Sequence, residues 1–314
     1  MYNQLKIVSG ILFAAILVYS GLWYTAAFDA EKKVAEKFSL WRDAGLLIEH
    51  GKIEHSGFPY RIMVTIKNVS LSTRARGLQF KADELFLVSH LWTPGHWVAE
   101  ARDAEGALIN ATSQFKANSL KASYRLHEGG KIIVVIEPDI EKPFSLPRLM
   151  GNSGPDIKAW QLFLQYGDAS GSQSSNLYGE RFLNFKITGQ TVASRLEIMG
   201  GVGGPVVKDW RKDQLANWRD EGGLLELDSI DLSSTDGRSK GSASFTLDKR
   251  FRPLGSANLM QTGEMKFTEI AKALGLRVSR TGPVSKNGPA SLMFQNGEVS
   301  LDGTPVAKLK SVVK

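Results

Sequence analysis

The sequence predicts a mainly β (α+β) protein in which one N-terminal transmembrane helix precedes a large, curved antiparallel β-sheet or β-groove with two or three amphipathic helices. An uncharged apolar run over residues 7–28 predicts the transmembrane helix. A period-two alternation of apolar and polar residues recurs in most segments after Leu46, which is typical of strands with one apolar face. Turn-forming Gly, Ser and Asn residues separate these segments, and this spacing favours antiparallel strands in meander order.

Composition places the chain among globular proteins and excludes several kinds of site. Of its 314 residues, 42% are hydrophobic and 23% are charged, unlike a disordered chain. The chain contains no cysteine, which excludes disulfides, thiolate zinc sites and a cysteine nucleophile. Its net charge of +7 is scattered along the sequence without a long run of like charges. This distribution argues against a nucleic-acid partner and is compatible with weak attraction to anionic membrane surfaces.

The N-terminal apolar run is long enough to cross a membrane. A helix over residues 7–28 spans about 33 Å, and Trp23 and Tyr24 lie near its outer end, where interfacial aromatic residues are enriched. We interpret residues 1–28 as an uncleaved signal anchor, because the run exceeds the apolar core of an ordinary signal peptide. A signal peptide cleaved near the small residues 25–27 is the alternative.

An amphipathic helix is predicted to follow the anchor over residues 29–44. Val34, Phe38 and Trp41 recur at helical spacing and form an apolar stripe, and Gly45 is suited to cap the C-terminus. We expect this stripe to pack on the following sheet. A helix that lies along the membrane surface is the alternative.

Two further helices are predicted in the C-terminal third. The first covers residues 205–221 and ends at Gly222 and Gly223; its apolar face contains Val207, Trp210, Leu215 and Trp218. The second is short, covers residues 268–274 and is closed by Gly275.

The first long strand is predicted within "HSGFPYRIMVTIKNVSL", residues 55–71. Its apolar face contains Tyr60, Ile62, Val64 and Ile66, which alternate with Arg61, Met63, Thr65 and Lys67. Gly57-Phe58-Pro59 marks its start. This face either joins a closed core or lines a groove, since both arrangements require the same alternation.

Later segments repeat this pattern. Residues 131–137, "KIIVVIE", form a continuous β-branched run, and "NG" at 296–297 predicts the turn of a final hairpin. Apolar faces are predicted for Leu120, Ala122, Tyr124 and Leu126, for Trp160, Leu162, Leu164 and Tyr166, and for Leu183, Phe185 and Ile187.

The glycine-rich segment "GGVGGP", residues 200–205, is the clearest internal break and is predicted to be a linker. It lacks the Lys-Ser/Thr ending of a phosphate-binding loop and the third glycine of a dinucleotide fingerprint. The predicted regions are therefore 29–200, a helix with a first sheet region, and 201–314, a helix with a second. The two sheet regions are either separate or continuous.

No motif in the sequence indicates catalysis, a cofactor or a metal. The five histidines do not show metal-ligand spacing, and we expect them to be surface or loop residues. The sequence contains no GxSxG elbow. We therefore expect a protein that is not an enzyme and that binds neither a cofactor nor a metal.

Several segments together resemble a bacterial envelope family, the domain of unknown function 2125. In the N-terminal third they are the anchor, "WRDAG", "HSGFPYRIMVTIKNVSL" with its Gly-Phe-Pro-aromatic-Arg element, and "LWTPGHWV". In the C-terminal half they are Trp218 with Gly222-Gly223, "LLELDSIDLSSTDGRSKGSASFTLDKRFRPLGSANLMQTG", "ALGL" and "FQNGEVSLDGTPVAKL". More distantly, the strand and Asp-Gly texture is similar to that of AsmA-type proteins.

The resemblance implies a location and a function class but no catalytic residues. AsmA-type proteins are anchored in the inner membrane, form elongated β-grooves in the periplasm and are implicated in lipid transport or outer-membrane homeostasis. By analogy we expect a single-pass inner-membrane protein with its bulk in the periplasm, which binds or handles membrane lipids. Tyr60, Ile62, Val64 and Ile66 are the predicted groove lining. The alternative is a structural or adaptor protein of an envelope complex, with other envelope proteins as partners.

Overall fold

Over the residues that it describes, the structure, a computed structural model, shows two helices, one large antiparallel sheet and a separate two-stranded ladder. It describes residues 2–43, 45–72, 79–108, 113–127, 131–142, 144–145, 156–167, 181–191, 193–207, 212–235, 237–263, 288–309 and 311–312. The helices are α1 (Tyr2–Asp43) and α2 (Lys212–Asp220). The strands are β1 (Leu47–Glu49), β2 (Ile53–Ser56), β3 (Ile62–Ser72), β4 (Gln79–His90), β5 (Thr93–Leu108), β6 (Ser113–Leu126), β7 (Ile132–Lys142), β8 (Phe144–Ser145), β9 (Asp156–Ile157), β10 (Ala159–Tyr166), β11 (Arg181–Gln190), β12 (Ser194–Gly203), β13 (Leu224–Ser234), β14 (Gly237–Leu247), β15 (Pro253–Gly263), β16 (Gly288–Gln295), β17 (Glu298–Leu301) and β18 (Thr304–Lys308).

Helix α1 joins the predicted membrane anchor and the predicted first amphipathic helix without a break. Residues 22–44 contain neither Gly nor Pro, so nothing interrupts the backbone hydrogen bonds. An ion pair of 2.7 Å between Lys33 and Asp29, one helical turn apart, adds local stability. The expected separate helix at 29–44 is thus the second half of one longer helix.

The second half of α1 packs on the start of the sheet. Trp23, Ala27, Ala30 and Phe38 are buried in one cluster with side chains of β1 and β3. Val34 packs against the same cluster, whereas Trp41 at the end of the predicted stripe is 44% exposed. The expected packing of this stripe on the sheet is confirmed.

Sixteen strands form one antiparallel sheet that follows the chain as a meander. The order is β1-β3-β4-β5-β6-β7-β10-β11-β12-β13-β14-β15-β16-β17-β18, with β2 also paired to β3; β8 and β9 form a separate two-stranded ladder. Neighbouring strands lie about 4.8 Å apart, so the ladder from β3 to β18 extends over about 60 Å along the sheet. The predicted meander is confirmed, and so is the Asn296-Gly297 turn, where both residues have positive φ (54° and 79°).

Residues 200–203 of the glycine-rich segment predicted as a linker belong to strand β12, and residues 204–205 follow it. Gly200 and Gly201 pair with β11 on one side and β13 on the other. A Cβ on Gly200 would lie 2.1 Å from the carbonyl oxygen of Glu226, and one on Gly201 would lie 2.4 Å from Cδ of Arg181. These glycines permit close approach of neighbouring groups rather than a change of direction. The sheet therefore runs without interruption across the predicted boundary at residue 200.

Of the predicted helix 205–221, the structure shows Lys212–Asp220 as α2, while residues 205–207 are not helical because the chain leaves the sheet there. Residues 208–211 lie outside the described residues. Leu215 and Trp218 are buried, as expected for its apolar face, while Val207 precedes the helix and Trp210 lies outside the described residues. Gly222 (φ 82°) follows the helix, and the Gly223 N–H donates to the Trp218 carbonyl at 2.6 Å. This is the predicted glycine C-cap. The helix expected at 268–274 also lies outside the described residues.

Candidate functional site

The predicted groove residues of β3 lie beneath helix α1. Ile62, Val64 and Ile66 share one face as predicted, but they are 6%, 0% and 0% exposed in the cluster that contains Trp23 and Ala27. Tyr60 does not join them, because it precedes β3 in a turn and is 75% exposed. Ile62, Val64 and Ile66 therefore offer no open apolar surface while α1 is in place.

The face to which Val64 belongs continues as apolar rows across the sheet. Residues directly opposite each other on paired strands point to the same side, so the pairing register defines each row. One row contains Val64, Leu87, Ala99, Ala122, Ile136, Leu162, Ile187, Ile198, Ile230, Gly241, Leu259 and Ala290. The adjacent row contains Trp97, Tyr124, Val134, Leu164, Phe185, Gly200, Leu227, Ala243, Ala257, Leu292 and Leu301. Both rows consist of apolar residues and glycine, the first from β3 to β16 and the second from β5 to β17.

Burial along these rows changes in the middle of the sheet. We define the central apolar face as the apolar side chains that β6, β7 and β10–β12 contribute to these rows and to the row beside them. They are Ala122, Tyr124, Leu126, Ile132, Val134, Ile136, Leu162, Leu164, Tyr166, Leu183, Phe185, Ile187, Ile198 and Val202. Each of them is half-buried or exposed, and Leu126, Tyr166 and Ile187 reach 48%, 40% and 37% exposure. A contiguous apolar surface of this kind indicates an interaction site.

The two ends of the same face are closed. At the N-terminal end α1 covers β3, as described above. At the C-terminal end β13–β18 contribute to one buried cluster, which contains Ile230, Leu232, Ala243, Ala257, Leu259, Ala290, Leu292, Phe294, Val299, Leu301, Val306 and Ala307. The central apolar face thus lies between two closed cores.

The opposite face of the central strands carries charged side chains interspersed with the apolar residues Ile133, Val135, Phe163 and Met199. One of its rows contains Lys121 and Glu137, and another contains Gln161, Thr188, Glu197, Asp231 and Lys240. Gln161 donates a hydrogen bond to Glu137 and so joins the two rows, while Arg238 hydrogen-bonds Asp231 and lowers the pKa of its carboxyl group. This face is suited to water, and the contrast between the two faces makes the middle of the sheet amphipathic.

A buried arginine fastens the polar face where β11 begins. The Arg181 side chain is 6% exposed and crosses Gly201 of β12 to reach two acids of β13. Its guanidinium donates to Asp228 through two bonds of 2.7 Å and to Glu226 at 2.7 and 3.1 Å. The Asp228 hydrogen bonds, with those of Glu226, raise the pKa of Arg181 despite its burial. The ion pair therefore links two strands that are not neighbours in the sheet.

Four of the five histidines place a ring nitrogen beside separate partners. His50 lies 2.8 Å from the Gly51 carbonyl, His55 2.5 Å from Glu31, His90 3.1 Å from the Tyr60 carbonyl and His96 3.1 Å from Ser123. Burial lowers the pKa of His96. Within the part of the chain that the structure describes, no three His, Asp or Glu side chains lie together in a group suited to a metal ion.

A family model, described as "Uncharacterized protein conserved in bacteria (DUF2125)", matches residues 23–310. The chain belongs to this family. The match confirms the resemblance found in "HSGFPYRIMVTIKNVSL" and in the C-terminal segments and extends it over the middle of the chain. No curated protein and no solved structure matches the chain. The more distant similarity to AsmA-type proteins stays a prediction.

The central apolar face was visible in the sequence as alternation but was not distinguished from other alternating segments. The strands at 159–166 and 181–190 show the same period as β3. A relevant difference is that no predicted helix precedes them at close range, whereas α1 leads directly into β1–β3. The covering element, and not the strand pattern, distinguishes the two regions.

Proposed function

We propose that this protein binds lipid acyl chains on its central apolar face and is held beside its lipid source by helix α1. One observation carries the proposal: the apolar rows of the sheet are closed at both ends and accessible in the middle. Each methylene group that leaves water contributes about 0.8 kcal/mol, so contact with part of one acyl chain is enough for stable binding. The polar opposite face keeps the loaded sheet compatible with water.

The same proposal includes the location. Helix α1 is long and apolar enough to cross a membrane, with a mean hydropathy of 1.9 in its most apolar window. The family is conserved in bacteria, and an amphipathic sheet attached to a single span suits the periplasmic side of the inner membrane. There the sheet takes part in envelope lipid homeostasis without catalysing a reaction.

Photo-crosslinking in cells tests the proposal directly. A photoreactive phenylalanine analogue is placed at Leu164 on the central apolar face or at Phe163, the adjacent residue on the opposite face; both positions are half-buried. We expect lipid adducts, detected by mass spectrometry of the purified full-length chain, at Leu164 and not at Phe163. Equal adducts at both positions would contradict a specific face, and a protein adduct at Leu164 without lipid would favour the adaptor alternative.

A substitution pair supplies the second readout. Ile187 and Met199 are 37% and 38% exposed on adjacent strands but lie on opposite faces. Ile187→Asp places a charge on the central apolar face, so we expect it to abolish the lipid adduct at Leu164. Met199→Asp places the same charge opposite Lys186 on the polar face and should leave the adduct unchanged. Retention of the adduct in Ile187→Asp would contradict the proposal.

A further inference from the structure

We propose that a second, non-helical part of this chain enters the membrane. It consists of the loops at residues 57–60 and 91–92, beside α1, which carry the exposed side chains Phe58, Tyr60 and Trp92. We call these three side chains the aromatic rim. In the proposal they occupy the interfacial layer of the bilayer on the side where the sheet lies.

The aromatic rim is unusually accessible for large apolar side chains. Phe58, Tyr60 and Trp92 are 46%, 75% and 63% exposed. The first loop is held in shape by Gly57, whose φ is 103° and whose position leaves no room for a Cβ, which would lie 2.5 Å from the Arg61 carbonyl oxygen. A glycine is required for this turn, so the loop presents its aromatic side chains in a defined direction.

Direct contacts hold the first loop against the membrane helix. The Phe58 ring centroid lies 5.4 Å from that of Trp23 and 6.1 Å from that of Tyr24. The Tyr19 hydroxyl donates to the Pro59 carbonyl, and the Trp23 ring N–H donates to the Arg61 carbonyl at 3.1 Å. The depth of this loop in a membrane is therefore that of helix residues 19–24.

The second loop is joined to the first. The imidazole of His90 stacks on Trp92 with a centroid distance of 5.1 Å, and its Nδ1 lies 3.1 Å from the Tyr60 carbonyl oxygen. Trp92 and Tyr60 are thereby held on the same side of the sheet end. The aromatic rim behaves as one structural unit.

The length of α1 places this unit at the bilayer. The apolar run begins after Lys6, and the helix rises only about 18 Å between Ile7 and Tyr19. A hydrocarbon core is about 30 Å thick, so a spanning helix uses the turns beyond Tyr19 as well. Side chains that contact residues 19–24 therefore lie at the level of the membrane and not above it.

The chemistry of the rim fits the interfacial layer. Tyrosine and tryptophan place an apolar ring and a polar tip at the boundary between acyl chains and headgroups. Arg61 is exposed beside the rim, where anionic headgroups attract a cation. A bilayer interface offers acyl chains to the rings of the aromatic rim, polar headgroups to their polar tips, and anionic headgroups to Arg61.

This arrangement has a consequence that, unlike the insertion itself, rests on the proposed function. Leu126, the last residue of β6, pairs with Ile132, the first residue of β7. This pair lies on the side of the sheet where the turn between β4 and β5, with Trp92, also lies. Leu126 and Tyr124 are among the more exposed members of the central apolar face. A lipid that leaves the bilayer at the rim therefore meets the central apolar face at its nearest end.

The absence of cysteine makes a depth measurement straightforward. Single-cysteine variants Tyr60→Cys and Trp92→Cys of the full-length chain are labelled with an environment-sensitive fluorophore and reconstituted into vesicles of phosphatidylethanolamine and phosphatidylglycerol. Leu12→Cys, in the exposed apolar part of α1, is the membrane control. Lys81→Cys is the aqueous control, because it is exposed on β4 at the end of the strand opposite Trp92.

We expect the emission of the probe to shift to the blue at both rim positions when the protein is in vesicles. We also expect the fluorescence at both positions to fall when the vesicles contain lipids with a nitroxide near the headgroup. Lys81→Cys should show neither change. An unshifted, unquenched probe at either rim position, with Leu12→Cys quenched in the same preparation, would overturn the insertion. The lipid adduct at Leu164 is measured independently, so failure of the insertion leaves the proposed function standing, and failure of the adduct leaves the insertion standing.

Discussion

Val64 and Ile187 occupy the same row of the same sheet face, yet one is inaccessible and the other is 37% exposed. Both are β-branched, and both alternate with side chains on the opposite face. Helix α1 covers Val64, whereas Ile187 belongs to the central apolar face. The comparison shows that the alternation of apolar and polar residues predicts which face of a strand avoids water. It does not predict which element, if any, covers that face.

The largest expected effect is the difference in stability between two variants that each place an aspartate on this sheet face, one at Val64 and one at Ile187. Val64→Asp buries an unpaired carboxylate beneath α1, which costs several kcal/mol, so we expect the N-terminal part of the sheet to unfold. Ile187→Asp leaves its carboxylate accessible to water and should lower the free energy of unfolding far less. Thermal unfolding of both variants in detergent measures the difference.

Equal losses of stability in the two variants would break the comparison, because they would mean that the central apolar face is a closed core. A folded Val64→Asp variant would instead mean that α1 separates readily from β3. Only the second result would return the groove to β3, the strand on which the sequence analysis places it.

The buried ion pair of Arg181 stabilises central strands that no described helix covers. Arg181 bridges β11 and β13 on the polar face, with its side chain 6% exposed. Arg181→Met removes the cation and leaves Glu226 and Asp228 side by side, so we expect a loss of about 2 kcal/mol. This is below the 3–5 kcal/mol typical of a fully buried pair, because Asp228 is half exposed.

Arg238→Met is the matched control for this prediction. Arg238 also pairs with an acid on the polar face, Asp231, but its side chain is 51% exposed. Exposed pairs contribute little, so urea unfolding should show a clearly smaller change than for Arg181→Met. Similar changes in the free energy of unfolding in both variants would contradict a special role for Arg181. The backbone hydrogen bonds between strands would then account for the stability of the central strands.

The smallest expected effect has the opposite sign and concerns the closed C-terminal end. Gln261 is 1% exposed on the apolar face, and neither its amide oxygen nor its amide nitrogen bonds a partner within the part of the chain that the structure describes. Gln261→Leu removes two unsatisfied polar atoms at similar volume, so we expect a gain of about 1 kcal/mol in unfolding free energy. Gln295→Leu, at an exposed position of β16, should change stability by less than about 0.5 kcal/mol.

A loss of stability in Gln261→Leu would show that the Gln261 amide makes a stabilising interaction in the folded protein. The closed C-terminal end would then depend on a buried polar group, unlike the apolar cluster beneath α1. The measurement is the urea midpoint at unchanged slope, which separates a change in stability from a change in compactness.

Local signals predicted most of the elements correctly. The alternation at residues 159–166 and 181–190, the Asn296-Gly297 turn and the Gly222 C-cap depend on neighbours in the chain, and all are confirmed. The prediction of a linker at residues 200–205 is wrong for residues 200–203, because glycine serves two purposes, chain flexibility and close approach of neighbouring groups. Only the carbonyl of Glu226 and the side chain of Arg181, distant in the chain, reveal the second use.

The sequence alone was enough to predict a helix long and apolar enough to cross a membrane, the antiparallel meander and the family, because apolar run length, residue period and turn chemistry are local properties. The tertiary structure alone decided which apolar strands are covered. An apolar row lowers its free energy by leaving water whether a helix or another ligand covers it. For β3 the cover is α1, which reaches Val64 from about 35 positions earlier in the chain, and for the central strands the described residues leave the face accessible.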